Sequence, residues 1–161
     1  LQQRLKDRVL RIRRPSEGAP RPYDNAPIPG IDTVRDINRV EWKTYQGPFD
    51  WVPQTFGLEI AKGGSSSNID VSKLDIEKGA AAEFKGFVTI QALGEYQFNI
   101  ESDGGAILRL HDAVVVDNES VTNGIRATQG KALLEKGAHP YTLTYLRGSE
   151  QIAKLSFSHS K

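Results

Sequence analysis

The sequence predicts an all-β domain, an antiparallel sandwich or barrel, behind a short helix and a proline-rich arm. From about residue 38 onward, apolar residues recur at every second position or in short β-branched runs. Glycine-bearing turns separate most of those runs, which is the pattern of many short strands. No second stretch carries the apolar spacing of a helix.

Residues 1–14 (LQQRLKDRVLRIRR) place Leu5, Val9 and Ile12 on one helical face among arginines and lysines. A helix of roughly 13 residues is marginal alone, so it is expected to dock on a neighbour. Residues 15–30 contain five prolines and two glycines, which excludes a helix or an inner strand. The domain boundary therefore falls there, giving an arm over 1–30 and a β-domain over 31–161. Glu95–Glu101 alternates strictly, with Tyr96, Phe98 and Ile100 inward, and His139–Leu146 does the same with Tyr141, Leu143 and Tyr145. Further strands are expected at 83–92, 106–110, 114–116, 132–134 and 153–157. Gly63-Gly64-Ser65-Ser66-Ser67 reads as a surface loop.

A chain of 161 residues and 17.8 kDa fits one domain with an appended arm. The absence of cysteine excludes disulfides, thiol nucleophiles and cysteine metal sites. No apolar run approaches the roughly 20 residues of a membrane span. Methionine is absent too, so the chain is expected to be a segment of a longer protein, with any export signal on a preceding part. The net charge of +1 is uneven: residues 1–22 hold seven basic and two acidic side chains, and the other 139 hold 14 and 18. A body of net negative charge argues against nucleic acid as a partner.

The ordered motifs from Phe84 onward resemble the PA-fourteen domain family. The matches are Phe84 and Gly86, then Gly94, Tyr96 and Phe98, then Ser102, Asp103 and Gly105. Val115, Val116, Asp117 and Asn118 follow, and later Gly137, His139, Pro140 and Tyr145. The resemblance spans roughly residues 38–160. It implies an antiparallel β-sandwich with barrel-like curvature. It also implies an accessory role beside a secreted enzyme such as a glycosidase or sulfatase, hence an extracellular or periplasmic location.

No chemistry for catalysis stands out. His111, His139 and His159 lack metal spacing, and neither a nucleophile elbow nor a phosphate loop is present. His139 is expected to cap local backbone, and Asp112 to take the left-handed position of a hairpin turn. In the lectin branch of the family, two adjacent aspartates hold calcium, and a later loop adds an asparagine. Here Asp103 remains, Gly104 replaces the second aspartate, and the later loop reads Arg147-Gly148-Ser149-Glu150-Gln151. Asp103 is thus the one candidate metal ligand, with Glu150 as a substitute donor. No cofactor is expected, because a hard cation wants six to eight oxygens and one carboxylate is gone. Any calcium site would fall near the weak end, roughly 10⁻⁴ to 10⁻³ M.

The candidate ligand-binding residues are Asp103, Gly104, Glu150, Arg147, Trp51 and Asn118. Trp51 reads as a sugar platform or as a buried plug; Asn118 reads as a loop tie, and it also opens an N-x-S sequon. The expected function is a non-catalytic carbohydrate-binding module of a larger secreted hydrolase. The alternative is a structural module that packs on the parent catalytic domain or mediates oligomerisation. The partners expected are a glycan or that parent domain.

Overall fold

The computed structural model describes residues 24–32, 36–118, 125–148 and 155–161. The helix expected over 1–14 lies outside the described residues, as do residues 15–23 of the arm. The elements are β1 (Val40–Tyr45), β2 (Lys62–Ser66), a 3-10 turn (Val71–Lys73), β3 (Ala81–Ile90), β4 (Gly94–Ser102), β5 (Ala106–Leu110), β6 (Ala113–Asn118), β7 (Arg126–Leu134), β8 (Gly137–Leu146) and β9 (Leu155–Ser160). One sheet has six strands in the order β2-β1-β3-β8-β5-β6, and the other has three in the order β7-β4-β9. Every strand pairing is antiparallel. The two sheets face each other as a sandwich without closing into a barrel.

The alternation seen in the sequence is the alternation of the core. Phe84, Val88 and Ile90 of β3 meet Tyr96, Phe98 and Ile100 of β4, with Leu108, Leu143 and Tyr145 between the same two sheets. Gly86 lies beneath the Tyr141 ring, where a Cβ would sit 2.7 Å from the tyrosine Oη. A side chain there would evict the ring. Ile28 of the arm is buried in this core, and its N–H donates to Leu133 O at 2.9 Å.

Two local expectations are corrected. Residues 62–66 form the edge strand β2, not a loop: their backbones pair with β1 although every one of them is exposed. Glycine and serine are poor strand formers, but Trp42 lies across Gly64, and a Cβ there would come within 2.7 Å of the indole. In the β5–β6 turn the left-handed residue is His111 (φ 55°) and not Asp112. The first of the two turn residues takes the positive φ, and the histidine ring is held there by a bond described below.

The outer face of the six-stranded sheet is partly roofed by the chain after β1. Val52 is fully buried on Ile107 and Leu146, with Phe49 and Val114 beside it. Thr55 donates its hydroxyl to the Glu83 carboxylate. Among the described residues, this strap covers one half of the face and does not reach the other half.

Candidate functional site

The turn from β4 to β5 carries the chain from the small sheet to the large one. Asp103 sits in this turn and is completely buried. An isolated carboxylate would not tolerate burial, so it must be met by donors. Tyr145 donates its hydroxyl to Oδ1, and Gly148 donates its backbone N–H to Oδ2 at 3.0 Å. The tyrosine comes from the middle sheet position of β8, and Gly148 lies just past its end. Asp103 thereby ties the turn to the exit of β8. Leu146 N donates to Gly105 O at 2.8 Å and completes the tie.

Gly104 is fixed by the same closeness. A Cβ on it would lie 1.9 Å from Leu146 O and 2.5 Å from Gly148 N. Gly148 mirrors this, since its own Cβ would lie 2.3 Å from Asp103 O. Two backbones touch here, and only glycines permit it. Among the described residues the single cis peptide is Gly47–Pro48, so the Asp103–Gly104 peptide is trans.

The remaining predicted residues divide into groups. Asn118 is buried; its Oδ1 accepts from Arg126 Nε at 2.7 Å, and its Nδ2 reaches Ser102 Oγ at 3.4 Å. Ser102 Oγ donates to Gly104 O at 2.6 Å, so a second network braces the turn from the β6 side. The sequon nitrogen therefore points inward. Arg147 is half-buried and donates from Nη1 to Ile76 O, while its backbone N donates to Ala80 O at 3.0 Å. Trp51 is half-buried next to Val52 in the strap. Glu150 lies outside the described residues. The structure therefore joins Asp103, Gly104 and Asn118 in one buried assembly with Ser102 and Gly148, two positions the sequence reading left without a role at the turn.

Tyr145 was legible as a core residue, and a signal for more was present. A buried tyrosine hydroxyl needs an acceptor, and Asp103 is the one carboxylate in a run of buried residues from Ser102 to Leu110. His139 does cap backbone, with Nε2 2.7 Å from Glu135 O. Its Nδ1 faces His111 Nε2 at 3.1 Å, so His111 donates when His139 donates to Glu135. Burial, and then His139, hold the His111 pKa below its ordinary value, against the pull of Asp112.

A cation at this turn would need open oxygens. The Asp103 oxygens each accept one hydrogen bond from the protein and are completely buried, and a side chain at position 104 has no room. Among the described residues no group of three or more histidine, aspartate and glutamate side chains is placed to hold a metal. No described helix is long and apolar enough to cross a membrane.

Fold and turn together define an open antiparallel sandwich domain whose inter-sheet connection is locked by a buried carboxylate. The PA14 domain family matches residues 69–149, and the chain belongs to it. This is a non-catalytic domain. A β-glucosidase from Kluyveromyces marxianus is similar in structure, with a TM-score of 0.59 and 16% identity over 76% of this chain and 16% of that one. This chain thus spans about a sixth of that enzyme. The PA14 domain of the MpAFP antifreeze protein gives a TM-score of 0.58 and 15% identity over 80% of this chain and 86% of that one. A subtype-switched epithelial adhesin A domain from Candida glabrata, solved with β-lactose, gives 0.54 and 10% identity over 85% and 88%. These likenesses are of fold. No curated protein matches the sequence.

Proposed function

We propose that this domain is a non-catalytic carbohydrate-binding accessory module of a larger secreted hydrolase, acting outside the cytoplasm and without calcium. The observation that carries the reading is the sandwich shared with an adhesin domain that holds β-lactose. The domain's place beside a hydrolase is supported by the similar segment within a β-glucosidase. The metal-free half of the reading is supported by the Asp103 tie, because the carboxylate is completely buried and its two oxygens already answer Tyr145 and Gly148. A glycan array run once in millimolar calcium and once in chelator tests it. Matching positive spots in both conditions are expected, and a uniformly blank array would sink the reading.

A second reading, a module that packs on its parent catalytic domain, is favoured by one observation. Phe56 is 99% exposed at the tip of the strap, with Ile60 49% exposed nearby. Exposed apolar groups in one loop are the raw material of an interface. Small-angle scattering of the full-length parent would separate the two, since a freely tumbling domain contradicts packing.

A further inference from the structure

We propose that the saccharide seat of this domain is a cleft on the half of the six-stranded sheet that the strap does not reach, walled by Phe87 and rimmed by Asp36, Arg39, Glu41, Lys85 and Thr142. It rests on the carbohydrate-binding reading above and places the ligand away from the Asp103 turn. The cleft measures about 540 Å³. Small-molecule sites run from roughly 300 to 1,000 Å³, so a short saccharide fits.

Strand register builds the cleft. Glu41 of β1 pairs with Lys85 of β3, and Lys85 pairs with Thr142 of β8, so the three stand in one row across the sheet. Two residues along, Phe87 pairs with Pro140 on the same outer face. Since Phe84 and Val88 point into the core, Phe87 points out, and it is half-buried rather than packed away. The strap covers Glu83, Ile107 and Leu146 and ends short of this row. A turn with Arg39 N bonded to Asp36 O at 2.9 Å supplies the near rim.

The chemistry of the rim selects the ligand. Arg39 and Lys85 donate, Asp36 and Glu41 accept, and Thr142 does both. With two cations against two anions, the rim carries no net charge to draw in a sulfate, a phosphate or a polyamine. A neutral polyhydroxylated ring suits both, because each hydroxyl gives one bond and takes others. Its C–H face would lie on Phe87 and Pro140. Arg39 Nη2 and Glu41 Oε1 are 3.9 Å apart, with side chains 53% and 62% exposed, so both can turn to a ligand at little cost. The row continues to Arg109, paired with Thr142, whose buried Nε has no hydrogen-bond partner among the described residues.

The test is a titration of the ¹⁵N-labelled 161-residue chain, in chelator, with glucose, lactose, cellobiose and the strongest array ligand. At least one saccharide is expected to shift the amides of Arg39–Glu41, Lys85–Phe87 and Tyr141–Thr142. Phe87→Ala should weaken that binding about tenfold. Lys85→Ala and Glu41→Ala, at exposed side chains, should weaken it severalfold without touching the fold. Sulfate and spermidine should leave the cleft unmoved; a response to either, and none to sugars, overturns the ligand class. Saccharide shifts confined to 102–105 and 146–148 overturn the cleft and leave carbohydrate binding standing. No saccharide shift together with a blank array overturns both.

Discussion

Gly104 shows how a single position carries the whole character of the turn. Any side chain there collides with backbone at Leu146 and Gly148, which a rotamer change cannot relieve. Gly104→Ala is expected to cost about 3 kcal/mol in urea unfolding, at the upper end for point substitutions. Gly104→Asp should be worse still and should bring no calcium binding. Asp103→Asn is expected to cost about 2–3 kcal/mol, because an amide can face only one of the two donors with an oxygen. Denaturant titrations of both variants check these figures; a neutral Gly104→Ala would contradict the close contact. The loss of the second carboxylate was legible in the sequence. Its cause was not, because the backbone that fills the space lies more than forty residues further on.

At the scale of elements, alternation located β4 and β8, whose inward positions are buried, and apolar runs located β3 and β5, the latter buried on both faces. It failed at β2, where no side chain is buried and the only reason for the strand is backbone pairing beneath Trp42. It also missed the strap, whose fully buried anchor, Val52, has no periodic neighbours. Val52→Ala should cost about 2 kcal/mol, while Phe56→Ser should change stability by less than about 0.5 kcal/mol. The β5–β6 turn makes a prediction about acid. The folded chain resists protonating His111, whereas the unfolded chain takes that proton near the ordinary value of 6.5. A depressed folded pKa gives stability that is present above the unfolded value and is lost as pH falls below it. Stability should therefore decline from about pH 7 to about pH 5, and His111→Asn, which keeps the left-handed turn, should flatten that decline. Chemical denaturation at several pH values measures it; equal slopes in both proteins would contradict the assignment.

For the whole molecule, the sandwich class was readable because strand periodicity and glycine turns agree over more than a hundred residues. Which half of the large sheet the strap covers was not readable, since which outward residues are roofed depends on the path of a loop. The calcium-free reading, and the placing of recognition on another surface, turn on the Asp103 turn being closed by the protein's own donors. Thermal unfolding with and without millimolar calcium tests that claim most directly. A closed turn predicts melting temperatures equal within about 1 °C, and the same indifference in Asp103→Asn. A rise of several degrees with calcium in the wild type, absent in Asp103→Asn, would contradict it.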